Sequence, residues 1–175
     1  MKDNISIPQS TPLDKSANYR LTALQIARTY VGQKEVGNNG GKFVDDCLKL
    51  VGLGTGFAWC QAFVFRCYHE AAISLKIANT CFRTAGVLNC WNNTAPNRRI
   101  LKKDATVSNV LAGYQFIMDY GKGLGHTGIV VSVNADKTYT TIEGNTNEAG
   151  SREGDRVAVK VRSLTDAKLR GFIAY

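Results

Sequence analysis

Gly52-Leu53-Gly54-Thr55-Gly56-Phe57-Ala58-Trp59-Cys60-Gln61-Ala62-Phe63-Val64-Phe65-Arg66-Cys67-Tyr68-His69-Glu70-Ala71-Ala72-Ile73-Ser74 is the stretch that decides the fold. Three glycines in five residues make a loop that cannot hold helix or strand. From Cys60 onward the chain turns apolar almost all round, through Ala62, Phe63, Val64, Phe65, Cys67, Tyr68, Ala71, Ala72 and Ile73. Such a helix is buried on most faces. It therefore needs layers around it, and it carries a thiol in its first turn. There the positive end of the helix dipole favours a thiolate.

Upstream of this stretch the pattern is helical. Leu21, Leu24, Ala27 and Val31 recur at helical spacing from Asn18, with Gly32 as a stop. A second helix carries Phe43, Val44, Cys47, Leu48 and Val51 on one side and ends at Gly52. Downstream, a short helix is expected around Thr84 to Trp91. The remainder reads as strands: Tyr114 to Met118, Thr127 to Val133, Thr138 to Glu143, Arg156 to Val161 and Gly171 to Ala174. Helices first and strands afterwards predict an α+β fold with an antiparallel sheet. The polar residues 1–17, holding Pro8 and Pro12, read as an N-terminal extension and residues 18–175 as one domain.

Five cysteines stand at 47, 60, 67, 81 and 90, an odd number without any CxxC spacing. This is neither a disulfide framework nor a zinc site, so most read as small buried hydrophobes. Cys60 differs because it follows the glycine-rich loop and opens a helix. It also has a histidine suited to it. Of the two histidines, His69 lies on the Cys60 helix, roughly 13 Å further along its axis, too far to serve the thiol. His126 opens a strand in Gly125-His126-Thr127-Gly128-Ile129-Val130, between glycines that permit close backbone approach.

A third member follows from hairpin geometry. Asn134-Ala135-Asp136-Lys137 is rich in turn formers and joins the strands on either side of it. In such a hairpin residue 126 faces residue 143 or 145, depending on the turn, and alternate residues share a face. Glu143 and Asn145 are thus both candidates to accept the imidazole N–H and steady an imidazolium. Trp59, Gln61 and Trp91 are candidate substrate contacts in the cleft, with a core role open for the tryptophans.

Trp59-Cys60-Gln61-Ala62-Phe63-Val64, Gly125-His126-Thr127-Gly128-Ile129-Val130 and Ile142-Glu143-Gly144-Asn145-Thr146 resemble, in order and spacing, the signature blocks of CHAP domains. These belong to the wider NlpC/P60 group of papain-like amidohydrolases. Val31 to Asn39 is similar to the lead-in of one CHAP branch, and Leu169 to Ile173 to its last strand. The resemblance covers about residues 18–175. It implies a papain-like fold and cleavage of peptidoglycan amide bonds, either the N-acetylmuramoyl-L-alanine bond or a peptide bond. It also implies Cys60 as nucleophile, His126 as base, Glu143 as the orienting residue and Asn145 as a supporting polar residue.

Two departures stand out. Gly113-Tyr114 replaces the usual Gly-Asp, and Gln61 replaces a small residue after the cysteine. Some relatives bind calcium through an Asp-rich loop ahead of the cysteine. Here Asp45-Asp46 fall in a helix, so neither metal nor cofactor is expected.

With 22 Lys+Arg against 14 Asp+Glu, the chain carries a net charge of +8. That field favours anionic partners. Its basic residues are scattered, however, and no nucleic-acid module accompanies them. No apolar leader or membrane-spanning run is present. The expectation is synthesis in the cytoplasm and action as a monomer on the cell wall, after release by a phage or injection into a rival bacterium. An injected effector would have an inhibitor protein as partner. The competing readings are a wall-binding module without turnover, or a cysteine protease or acyltransferase acting on protein.

Overall fold

The buried helix begins where the sequence places it. In the computed structural model, which describes residues 12–147 and 154–175, α3 runs Cys60–Leu75. Its side chains from Cys60 through Phe65, with Cys67, Tyr68, Ala71 and Ala72, are all buried. Around it lie α1 (Pro12–Thr29), α2 (Lys42–Leu50) and α4 (Val87–Asn93). Since α1 already runs from Pro12, the domain boundary expected at residue 17 falls inside a helix, and the rest of the proposed extension, 1–11, lies outside the described residues. The inward stripe of α1 is Tyr19, Ala23, Leu24 and Ala27. Leu21 and Val31, expected to point in, are exposed: Leu21 lies off the Tyr19–Ala23–Leu24–Ala27 stripe, and Val31 lies beyond the end of the helix at Thr29.

Six strands follow: β1 (Arg99–Leu101), β2 (Gln115–Gly121), β3 (Leu124–Val133), β4 (Thr138–Thr146), β5 (Arg156–Ser163) and β6 (Leu169–Ile173). They form one antiparallel sheet in the order β1-β6-β2-β3-β4-β5. The α+β architecture with helices on an antiparallel sheet is therefore present. The short edge strand β1 had no readable pattern. Both faces of the sheet are covered. Ile117, Ile129, Ile142, Val157 and Ile173 pack with the helices, whereas Phe116, Met118, Val130, Tyr139 and Phe172 form a second apolar cluster.

One irregularity sets which residues share a face. Near the turn β3 and β4 pair as Val133–Tyr139 and Ser132–Thr140, but beyond it as Val130–Thr141 and Ile129–Ile142. Val131 is the extra residue of a β-bulge. Because side chains alternate with a period of two, a one-residue slip exchanges the faces of everything beyond it. The turn closes through Asn134 and Thr138, with Lys137 in the left-handed region at φ 67°. Carried straight on, that register would put Glu143 and Asn145 on the face opposite His126. The bulge returns them to its side.

At the other contact, Gly144 lets β4 lie against the first turn of α3. A Cβ there would sit 2.7 Å from both the Phe63 and Trp59 side chains. Neither buried ring has room to retreat. Gly144→Ala is expected to destabilise the fold by about 1–3 kcal/mol, read as a melting temperature lower by several degrees in thermal unfolding followed by circular dichroism.

Candidate active site

Three elements converge on one cleft. Cys60 is the first residue of α3, with Trp59 at the N-cap position, so its backbone N–H has no acceptor within the helix. His126 enters from the start of β3 and Glu143 from the end of β4. A cleft of about 310 Å³ opens over Cys60, with Gly125 and Asn145 on one side and Glu35, Asn38 and Asp155 on another.

Nε2 of His126 lies 2.7 Å from Oε2 of Glu143, and both side chains are completely buried. A carboxylate can only accept here, so the ring proton resides on Nε2 and is donated to Glu143. The opposite ring nitrogen, Nδ1, is buried without a hydrogen-bond partner among the described residues. Burial alone would lower the basicity of the ring, but the neighbouring Cys60 thiol and Glu143 more than reverse it and push the His126 pKa up to about 9. Burial would likewise raise the Glu143 carboxyl. Its bonds to Arg162 and His126 prevail and hold it down at about 2.

The sequence left Glu143 and Asn145 as alternatives. Extending the Ile129–Ile142 pairing places Asn145 directly across from His126 and Glu143 across from Gly128, yet the imidazole bonds Glu143. Gly128 makes that diagonal possible. A Cβ on it would come within 2.8 Å of the Glu143 Cγ, so the missing side chain is the path along which the carboxylate reaches the ring. Asn145 instead lines the cleft, in the left-handed region at φ 53°.

The three candidate substrate contacts do not face the cleft. Trp59 is fully buried, with its ring edge-on to Phe43 and Phe63 and its indole N–H donated to Oε2 of Glu35 at 3.0 Å. Trp91 is buried beneath Gly171, flanked by the guanidinium groups of Arg99 and Arg170. Gln61 points inward, where its Oε1 accepts from Gln115 Nε2 at 2.6 Å. For Trp59 and Gln61 the reason is that the neighbours of a buried helix start are themselves core, whereas Trp91 belongs to the buried face of α4. His69 is stacked on Phe65, away from the cleft.

Two residues beside the site had gone unread. Glu35 joins the 34–41 loop to Trp59, accepting also the Asn39 backbone N–H at 3.2 Å. Arg162 grips Glu143 with both ends of its fork, Nε to Oε1 and Nη2 to Oε2, each at 2.6 Å. Thr141 adds a hydroxyl at 2.6 Å on Oε1. The strand was expected to end at Val161, one residue short of Arg162. An inward-facing arginine in a strand beside an inward-facing glutamate is the signal that could have shown the pair. Among the described residues no group of three or more His, Cys, Asp or Glu side chains is arranged to hold a metal ion, and no helix is long and apolar enough to cross a membrane.

The site thus sets a helix-borne thiol near an imidazole that is itself anchored to a carboxylate on an antiparallel sheet. In comparison with known families, the sequence model of the CHAP domain matches residues 52–145, and the chain belongs to that family. Among solved structures it is similar to the wild-type endolysin LysIME-EF1, at 17% sequence identity and a TM-score of 0.56. The alignment covers 88% of this chain and 62% of that one, so this chain spans less than two thirds of the endolysin's length. A comparison with curated protein sequences gave no match.

The shifted histidine has a thermodynamic signature. Its folded pKa of about 9 exceeds the ordinary 6.5, so its stabilisation is complete below pH 6.5 and is lost as pH rises through 9. Urea unfolding between pH 6 and 9 is expected to show a loss on the order of 3 kcal/mol, absent in His126→Phe. The buried thiols Cys47, Cys67 and Cys81, raised by desolvation, contribute only above the ordinary thiol value of 9.0.

Proposed function

We propose that this chain hydrolyses amide bonds of bacterial peptidoglycan through a thioester on Cys60. The observation that carries the reading is the division of labour on His126: Nε2 is committed to Glu143, Nδ1 makes no such bond, and the Cys60 thiol is near enough to the ring to raise its basicity. Membership of the CHAP family and the endolysin-like fold support the substrate class.

In this mechanism His126 holds the thiol proton on Nδ1 and the thiolate attacks the amide carbonyl carbon. The resulting oxyanion is met by the free backbone N–H of Cys60, a type of donor worth about 3–4 kcal/mol in the transition state. As the C–N bond breaks, Nδ1–H protonates the leaving amine. Water then gives a proton back to His126, adds to the thioester and releases the acid and the thiolate. Glu143 keeps the ring in the required tautomer throughout.

The bond cut is that of a muramoyl amidase or of a peptide endopeptidase. The protein reaches the wall as a phage lysin or as an injected effector with a cognate inhibitor. Neighbouring genes distinguish these routes, since a holin and an immunity protein are different signals.

Purified peptidoglycan incubated with the protein is expected to release fragments whose masses identify the bond, and Cys60→Ala to release none. Unimpaired release by folded Cys60→Ala would refute the mechanism. Glu143→Gln should lower turnover by roughly 10²–10⁴-fold, the scale of a neutralised triad acid, with Asn145→Ala costing less. Among the five cysteines Cys60 alone lines the cleft, so brief iodoacetamide treatment followed by peptide mapping should find it alkylated first.

A further inference from the structure

We propose that Arg162 is a positioning residue of this site, clamping Glu143 and supplying it with a permanent countercharge while His126 gains and loses its proton. The inference rests on the proposed thiol–imidazole chemistry and extends it to a fourth side chain.

The clamp is geometric first. A glutamate held only by one imidazole can turn about its last bond. Here both oxygens are engaged by one planar fork, and Thr141 fixes Oε1 a second time. Bidentate guanidinium–carboxylate pairs of this kind restrict orientation as well as adding energy. The plane of the carboxylate is thereby set, and Oε2 is left 2.7 Å from Nε2. Arg162 is itself held. It projects from β5 opposite Tyr139, its guanidinium lies over the Phe116 ring at 5.3 Å, and its side chain is only 11% exposed.

The electrostatic role follows from the proton's itinerary. When His126 passes its proton to a leaving group, the ring becomes neutral. Glu143 would then be a buried anion without a counterion, a state costly enough that the carboxylate would take up a proton instead. Arg162 does not titrate in the working range. It keeps Glu143 ionised in both halves of the cycle. It also shares Oε2 with the imidazole and so moderates the hold on the ring proton. Thiolate, imidazolium, carboxylate and guanidinium together sum to zero charge, which suits a buried His126–Glu143 pair.

A purely structural ion pair would affect stability alone, so the test reads proton affinity. With two histidines in the chain, the His126 ring can be followed by NMR titration. Done in a Cys60→Ala background, this needs no turnover and stands apart from the proposed hydrolysis. Arg162→Met removes a cation next to the Glu143–His126 pair. It is expected to raise the pH at which the pair gives up its proton by about one unit or more, whereas Arg162→Lys should leave that pH near the parent's. In the Cys60-containing chain, turnover of purified peptidoglycan should fall about 10²-fold in Arg162→Met, the scale of an ångström-level misplacement, and less in Arg162→Lys. Should Arg162→Met fail to fold, Arg162→Met/Glu143→Gln leaves no unpaired buried charge, and its His126 should titrate well below the parent's. An unshifted His126 in folded Arg162→Met would overturn the proposal, as would an unshifted His126 in the double variant. Absence of hydrolysis by the parent, beside a shifted titration, would count against the proposed function and not against the clamp.

Discussion

A fully buried carboxylate is the constraint on which this structure turns. Glu143 cannot remain charged inside the protein unless its oxygens are filled, and four donors fill them: His126, both arms of Arg162 and the Thr141 hydroxyl. These donors come from three neighbouring strands, β3, β4 and β5. Their order in the sheet is thus tied to the satisfaction of one side chain. Removing one donor leaves the others to compensate a buried charge, a more severe change than deleting an exposed pair.

That arrangement depends on backbone irregularity. A regular β3–β4 hairpin closed by the observed turn would send Glu143 and Asn145 to the opposite face from His126. The single extra residue at Val131 restores them. Two glycines then remove obstacles, Gly128 between glutamate and imidazole and Gly144 between β4 and the helix that carries Cys60. A side chain at either glycine would therefore disturb the site as well as the packing.

The legible part of this molecule was the part written in short-range periodicity. The all-round apolar run after Cys60 marked a buried helix whose start is that of α3, and the alternation from Thr127 onward located β3 and β4. The two-histidine count isolated His126. Less legible was anything that depends on long-range pairing. The bulge leaves no mark in composition, because Val131 suits a regular strand equally well. The inference that 143 and 145 share the histidine's face was correct, although it assumed a turn that the chain does not form. Arg162 was missed because strand periodicity faded one residue before it. Its role depends on a diagonal reach that no spacing rule describes.

The same distinction explains the misplaced substrate contacts. Trp59 and Gln61 flank the cysteine in sequence, and proximity along the chain suggested proximity to ligand. On a helix packed all round, however, the side chains flanking the one that reaches the cleft turn into the core. Trp59 there binds Glu35, and Gln61 binds Gln115. They hold the thiol's backbone in place and leave the cleft walls to other segments. Those walls come from the 34–41 loop, through Glu35 and Asn38, and from Asn145, Asn147 and Asp155 on and after β4. The β-bridge between Lys34 and Arg156, with the Glu35 N–H donated to the Asp155 carbonyl at 2.8 Å, joins the two walls into one rim. The thiol is held from below by the core, and the cleft above it is shaped from polar loops. Selectivity can therefore vary in those loops without disturbing the buried chain of His126, Glu143 and Arg162.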